Sequence, residues 1–287
     1  MAANTESPVH SAQRGYGAWI GQARSFAERF ARELFRNRTV LFWTIAFPVG
    51  FYLLTITVFV DTSQIPESAM PTVKAGIAVG YGMFGAIIAS LNAFGQQLAA
   101  DFEADRYVQY RSLPLAPTAD LAGRMVAGLA LSVVAFAATL VAALATGAEF
   151  TLSSLASPVV VALAVVTFAV FWMVLAVAVS VVVREARYAS IITVSLALMA
   201  YFLTGYNGTD PGAYAGPDVA LNLMPHTLAT RLVSAHVVGS GGGSALTPPP
   251  VPGTAFGVSV LAAYAVGALV VGAAIMRLVV YKKGVIA

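Results

Sequence analysis

Long uncharged apolar runs alternate along the chain with short polar segments that carry nearly all of its charge. Each run holds at least 19 residues. A helix rises about 1.5 Å per residue, so such a run is long enough to cross a hydrocarbon core roughly 30 Å thick. The pattern predicts an all-α integral membrane protein with six transmembrane helices. The predicted spans are residues 39–60, 75–99, 125–148, 158–183, 188–206 and 254–276.

A helical pattern of a different kind precedes the first span. From Ala23 to Arg36, apolar residues recur every three or four positions and charged residues fill the other face. Directly before a span, this pattern is typical of an amphipathic helix that lies in the membrane interface. Phe26, Phe30 and Phe35 are then expected among the acyl chains. Arg29 is expected to point toward anionic lipid headgroups. The alternative is an extension of the first span whose apolar stripe packs on neighbouring protein.

The positions of lysine and arginine predict the orientation. All of the 16 basic residues except Lys74 and Arg231 fall on one side of the predicted bundle. Because cationic loops stay in the cytoplasm, both termini are expected there, in a multi-pass protein of a prokaryotic cell membrane. Residues 1–38 then form a cytoplasmic tail with the interfacial helix, and residues 39–287 form the transmembrane domain.

Composition narrows the chemistry that the chain supports. Hydrophobic residues make up 59% of it and charged residues only 10%, which suits lipid rather than water. The basic residues are spread over several loops, so nucleic acid is not expected as a partner. The absence of cysteine excludes disulfides, thiolate metal sites and a cysteine nucleophile. No metal site and no catalytic residue are predicted.

The loop between the second and third predicted spans holds the most distinctive residues. Asp101–Ser112 is predicted as a short charged helix. Pro114 and Pro117 disfavour its continuation and stiffen the turn back to the membrane. A brief, rigid projection of this kind suits docking into a cleft of another protein.

At these residues the chain resembles the ABC type 2 export family of ABC transporter permeases. In that family an acidic helix precedes a proline segment and then a Gly-Lys or Gly-Arg pair that begins the third span. The matching residues are Asp101 and Glu103, Pro114-Leu-Ala-Pro117 and Gly123-Arg124. The family's usual Gly-Thr-Leu after the acidic pair is replaced by Asp105-Arg106-Tyr107. The resemblance covers essentially the whole chain.

The resemblance implies a permease subunit of an ATP-driven exporter rather than an enzyme. It implies that the charged loop is a coupling helix that contacts ATPase subunits, through Asp101, Phe102, Glu103, Asp105, Arg106, Arg111, Pro114 and Pro117. The chain holds no G-x-x-x-x-G-K-[ST] phosphate loop. ATP and magnesium are therefore expected in separate ATPase subunits, and no cofactor is expected in this chain.

The rest of the implied complex is a second permease copy or a paired permease, in contact with membrane lipid. The expected cargo is a hydrophobic or amphipathic small molecule or lipid, with a drug as the leading candidate. Asn92, Gln96 and Gln97 are polar positions of the second span that are candidates to line the pathway. The alternative for Gln96 and Gln97 is that they mark the inner interface of the span.

The stretch of residues 207–253 before the sixth span is long for a connector. Within it, Ala220–Val233 resembles the family's helical segment that re-enters the outer membrane surface. Asn222, Pro225 and Arg231 are the closest matching positions. The segment is either an outer gate that lines the exit or a surface helix that caps the bundle.

Two other functions are open at this point. An ATP-independent secondary transporter or channel would be expected to carry ionisable residues or repeats within its spans, and the predicted spans show neither. An intramembrane enzyme would need a catalytic constellation. Ser240 near His236 is the nearest approach to a nucleophile beside a base.

Overall fold

The computed structural model of the protein describes residues 8–60, 63, 65–203, 217–238 and 251–282. Within these residues the chain is helical, with no strand beyond an isolated parallel bridge between Thr151 and Val238. The helices are α1 (Pro8–Arg36), α2 (Arg38–Phe59), α3 (Glu67–Glu103), α4 (Arg106–Ser112), α5 (Pro117–Ala145), α6 (Ser157–Val183), α7 (Ala186–Tyr201), α8 (Asp218–Leu221), α9 (Pro225–Val237) and α10 (Thr254–Val280).

Five of the described helices, α2, α3, α5, α6 and α10, are long and apolar enough to cross a membrane. The helix α7 is apolar but shorter. It coincides with most of the fifth predicted span, and residues 204–206 of that prediction lie outside the described residues. The predicted all-α membrane protein is therefore confirmed, while the count of six spans stays a prediction.

Two helices begin earlier than the uncharged runs predict. The helix α3 begins at Glu67 and continues through Glu103, and α5 begins at Pro117, eight residues before the predicted span. The early part of α5 contains Asp120 and Arg124, which lie one turn apart. Arg124 Nε donates to Asp120 Oδ1 at 2.7 Å. Because this pair neutralises itself along one helix face, its charges do not end the helix.

The helix α3 is the centre of the bundle. In its most apolar stretch 94% of the residues are buried. In the corresponding stretches of α2 and α10 the buried share of residues is only 28% and 17%. It packs against α2, α5, α6, α7 and α9. The exposed apolar faces of α2 and α10 are those expected of helices that contact lipid.

The connecting segments gather at two ends of the bundle. At one end, here called the α4 end, Trp19 Nε1 donates to Thr118 Oγ1 at 3.0 Å and the amide of Ala186 donates to Glu103 Oε2 at 3.2 Å. At the other, here called the α9 end, Lys74 Nζ donates to the carbonyl of Thr146 at 2.7 Å. The described basic residues other than Lys74 and Arg231 belong to the segments of the α4 end.

The helix α1 is amphipathic, but its apolar stripe packs on protein. Phe26 is 8% exposed and Phe30 is fully buried, in a cluster with apolar residues of α5. Gly123 makes this possible, because a Cβ there would lie 2.6 Å from Phe26 Cβ, too close for an ordinary contact. The expectation that Phe26 and Phe30 lie among acyl chains is therefore wrong. Phe35, at 38% exposure, stays on the surface.

Candidate functional site

A tight turn separates the end of α3 from α4. Asp105 has φ 52°, in the left-handed region that non-glycine residues seldom adopt. Aspartate is among the residues that tolerate this conformation best. Asp101, Phe102 and Glu103 thus belong to the last turn of α3, and the predicted charged helix is split into two. The prolines act as predicted: α4 ends at Ser112, and Pro117 is the first residue of α5.

Beside the turn lies a buried network of charged side chains. Asp101 is fully buried, and its Oδ2 accepts from Arg124 Nη2 at 2.5 Å. Its Oδ1 accepts from Arg29 Nη2 at 3.3 Å and from Arg106 Nη1. Removing charges from water is costly unless they are paired and hydrogen-bonded. The network meets that condition and joins α1, α3, α4 and α5, the last through the Arg124–Asp101 pair.

Aromatic rings enclose this network. The guanidinium of Arg124 lies 3.7 Å from the ring centroid of Phe30. The hydroxyls of Tyr107 and Tyr281 both donate to Asp120 Oδ2, each at 3.1 Å. Burial raises the pKa of Tyr107 well above its ordinary value, and burial and the Asp120 charge raise the pKa of Tyr281. Both hydroxyls therefore stay protonated and keep donating at neutral pH.

The turn presents only some of the predicted coupling residues to solvent. Asp101 is buried, so it is not available for a contact with another protein, and Arg106 is turned inward onto it. Arg111 Nε donates to the carbonyl of Val280 at the end of α10 at 2.8 Å. Glu103 and Asp105 are exposed. Which charged residues are buried and which are exposed is decided by the buried network. Their spacing in the sequence does not predict that network.

Two exposed apolar side chains, which sequence reasoning missed, complete this surface. Val108 is 52% exposed and Leu113 is 53% exposed. Pro114 is also exposed, and its carbonyl accepts from Gln22 of α1 at 3.1 Å. We call the exposed residues Glu103, Asp105, Val108, Leu113 and Pro114 the α4 rim. The feature of the sequence that could have identified Val108 and Leu113 is the presence of apolar residues within a charged loop.

A second feature is a cavity of about 250 Å³ between α2, α3 and α7. Its lining includes Trp43, Asn92, Gln96 and Ser190, and we call it the Trp43 cavity. Asn92 Oδ1 accepts from Ser190 Oγ at 3.1 Å, so this amide ties α3 to α7. Asn92 lies in the π-helical turn Ile88–Ala93 of α3, a rare geometry that is frequent at functional sites.

The polar positions of α3 therefore separate into two groups. Asn92 and Gln96 line the Trp43 cavity. Gln97 instead points to α1, where its Nε2 donates to Glu33 Oε2 at 2.7 Å.

At the α9 end, the three candidate gate residues are brought together. Pro225 is the first residue of α9, and Arg231 is 1% exposed on the same helix. Arg231 Nη1 donates to Asn222 Oδ1 in the turn before α9. Between them, burial lowers the pKa of His226 to about 4. The segment is thus closely packed, and at neutral pH His226 is uncharged.

His236 of α9 links three segments. Its Nδ1 lies 3.0 Å from Ser157 Oγ and its Nε2 lies 2.9 Å from Thr254 Oγ1. A hydrolytic triad would place an orienting carboxylate on the second ring nitrogen, and here a hydroxyl occupies it. The group therefore joins α6, α9 and α10 without the geometry of a catalytic triad. The earlier candidate Ser240 lies outside the described residues.

Comparison with known proteins gives one family. Residues 21–208 match the ABC-2 type transporter family. The match begins within α1 and extends through α7, and it includes the buried network, the α4 rim and the Trp43 cavity. No individual curated protein matches the chain. The match extends over more than half of the chain, and the chain therefore belongs to the ABC-2 type transporter family: it is a multi-pass membrane protein and a permease component of ABC transporters.

Proposed function

We propose that this chain is the membrane-spanning subunit of an ATP-driven exporter, with its ATPase on separate subunits that bind ATP and magnesium. Residues 39–287 form the permease domain, and α7, the fifth of the predicted spans in chain order, crosses the membrane together with the five longer helices. The α4 end faces the cytoplasm of a prokaryotic cell, in keeping with its concentration of basic residues. A second permease, identical or paired, completes the complex.

The observation that carries this proposal is the α4 rim on its buried support. The rim offers exposed apolar side chains, Val108 and Leu113, beside exposed carboxylates. Apolar anchors with a charged border are the arrangement expected where a small helix docks into a protein cleft. The charged network behind the rim holds the short helix α4 in one position. A displacement of the rim would therefore move the helices bonded to it.

The contacts around the rim define which helices receive this push. Asp101 belongs to α3, the central helix, and its partner Arg124 belongs to α5. Arg111 of α4 holds the end of α10 through Val280. Closure of the ATPase subunits against the rim would therefore displace α3, α5 and α10 together. A network that is rigid and fully paired transmits such a displacement better than a solvated loop.

The Trp43 cavity is the proposed start of the cargo pathway. It combines an aromatic ring with amide and hydroxyl groups, which suits part of a hydrophobic or amphipathic molecule such as a drug. It lies beside the π-helical turn of α3, so a movement of α3 driven from the α4 end would reshape it. Asn222, Pro225 and Arg231 are the proposed outer gate at the other end of the bundle.

An affinity pull-down from native membranes tests the proposal. The tagged chain is expected to bring down a nucleotide-binding subunit, and the variant Val108→Glu/Leu113→Glu is expected to lose it. Both positions are exposed, so the change should spare the fold. The matched control is Leu155→Glu, because Leu155 is fully exposed at the α9 end. Leu155→Glu should keep the ATPase.

The outcomes separate the parts of the proposal. Retention of the ATPase by the rim variant would show that another surface docks it. Failure of the unmodified chain to bring down any ATPase, in mild detergent, would favour transport without ATP hydrolysis.

A further inference from the structure

One flank of α1 carries a basic recess, and the coupling mechanism does not use its residues Arg32 and Arg36. Arg29, Arg32, Glu33 and Arg36 line a shallow surface depression of about 430 Å³ that is wide open on its outer side, which we call the α1 recess. Residues at this spacing lie on the same side of a helix. The recess therefore concentrates three guanidinium groups around one carboxylate.

Some charged side chains of the recess form ion pairs and others do not. Glu33 Oε1 accepts from Arg29 Nε at 3.0 Å, and Arg29 also reaches Asp101. Arg32 and Arg36 are exposed, and neither forms an ion pair within the described part of the chain. Arg32 Nε donates to the backbone carbonyl of Glu28 at 3.1 Å. The Nη atoms of Arg32 and the guanidinium of Arg36, one turn away, are thus available to an anion. Arginine matches the geometry of phosphate oxygens because its planar fork donates two parallel hydrogen bonds.

The recess adjoins the Trp43 cavity. Gln97 of α3 donates to Glu33 at the recess, at 2.7 Å, and the preceding residue, Gln96, lines the cavity. The cavity, at about 250 Å³, is smaller than the roughly 300–1,000 Å³ of common small-molecule sites. It is therefore better suited to the apolar part of a ligand than to a whole ligand, and the recess supplies the place for a charged part.

Exposed aromatic rings indicate the membrane depth of this region. Phe35 is 38% exposed, Phe42 is 52% exposed and Trp43 is 45% exposed. Aromatic side chains beside arginines at the beginning of a span are typical of the headgroup level. An anion held in the recess would then lie among lipid headgroups, with the cavity a short way into the acyl region.

We propose that the α1 recess and the Trp43 cavity together bind one anionic amphiphile. Its phosphate group lies between Arg32 and Arg36, and its apolar chain enters the cavity beside Trp43. Because this inference names the class of molecule that the exporter would handle, it rests on the proposed function. The lipid-binding test needs no ATPase. A negative lipid-binding result therefore does not affect the pull-down result, and a negative pull-down does not affect the lipid-binding result.

The test uses quenching of Trp43 fluorescence by brominated lipid. A chain with Trp43 as its single tryptophan, made by Trp19→Phe and Trp172→Phe, is reconstituted in phosphatidylcholine with increasing dibrominated phosphatidylglycerol. We expect phosphatidylglycerol to bind near Trp43 in preference to dibrominated phosphatidylcholine. The preference should fall about fivefold for each arginine removed in Arg32→Gln and Arg36→Gln. The control Arg24→Gln, an exposed arginine of the same helix that pairs with Glu28, should keep it.

Other results would overturn the proposal. An equal preference in all variants, or no preference for the anionic lipid at all, shows that the recess does not bind it. If the arginine variants instead lose the ATPase in a pull-down while quenching is unchanged, the recess docks protein. Should the single-tryptophan chain not fold, native mass spectrometry of the unaltered chain and of Arg32→Gln/Arg36→Gln measures retained phosphatidylglycerol directly.

A resident lipid and a transported lipid share this chemistry. In proteoliposomes of the complex as purified from native membranes, ATP-dependent movement of labelled phosphatidylglycerol to the other leaflet identifies cargo. Binding without such movement identifies a resident lipid, and both results support the site.

Discussion

The close approach of α1 to α5 at Gly123 gives the sharpest structural prediction. A Cβ at this position would lie 2.6 Å from Phe26 Cβ and 2.9 Å from the backbone nitrogen of Ala27. The carbonyl oxygen of Ala23 would lie closer still, and an ordinary contact begins near 3.4 Å, so Gly123→Ala requires α1 to move by about 1 Å. The obstacle includes backbone, and no side-chain rotation relieves it. Overpacking of this kind costs about 1–3 kcal/mol.

The expected result is a loss of α1 packing and a lower melting temperature. At about 2–4 °C per kcal/mol, Gly123→Ala should melt roughly 2–12 °C below the unmodified chain in detergent. Because the chain has no cysteine, Ala127→Cys provides a unique label. Ala127 is 2% exposed in the cluster under α1, and its reaction with a maleimide should accelerate when Gly123 is alanine.

Gly267→Ala is the matched control, since nothing lies within 4 Å of a Cβ at that helical position. It should leave the melting temperature and the Ala127→Cys labelling rate unchanged. Equal melting temperatures and labelling rates for Gly123→Ala and the unmodified chain would refute the close packing of α1 on α5.

Two further predictions concern ionisable groups. Asp101→Asn leaves Arg124 with a weaker partner in a buried site and should destabilise the chain by about 3–5 kcal/mol, whereas Glu28→Gln, which breaks the exposed pair with Arg24, should have little effect on stability; thermal unfolding in detergent measures both, and equal effects would contradict the burial of the network. His226 has a folded pKa of about 4 against about 6.5 when unfolded, so the unfolded state takes up the proton first and stability should fall, by up to about 3 kcal/mol, as the pH drops from about 6.5 to 4. Replacement by Phe should remove that part of the pH dependence, and an unchanged pH profile would show that His226 is not buried as described.

The sequence predicts the apolar spans and the stripe of α1, because both depend on local spacing. It does not predict what covers the stripe. Whether Phe26 and Phe30 meet lipid or protein depends on Gly123, which lies far away along the chain and removes one Cβ at the point of contact. A helix pattern alone is compatible with both surroundings.

The charged residues show the same limit more clearly. Asp101 looks like a solvated loop residue in sequence, yet it is fully buried. Its burial depends on Arg124, 23 residues later, and on Arg29, 72 residues earlier. Since all three must meet to offset desolvation, no local pattern indicates the result. The exposure of Val108 and Leu113 is a consequence, because the charged side chains beside them turn inward.

The most direct test of coupling through the α4 rim is site-specific cross-linking in native membranes. The cysteine-free chain allows a photoreactive thiol reagent to be placed at Val108→Cys alone, with Leu155→Cys as the control at the α9 end. The account predicts a cross-linked product at Val108 that contains a subunit with a nucleotide-binding phosphate loop, and none at Leu155. No such product at Val108, or the same product at both positions, would contradict it.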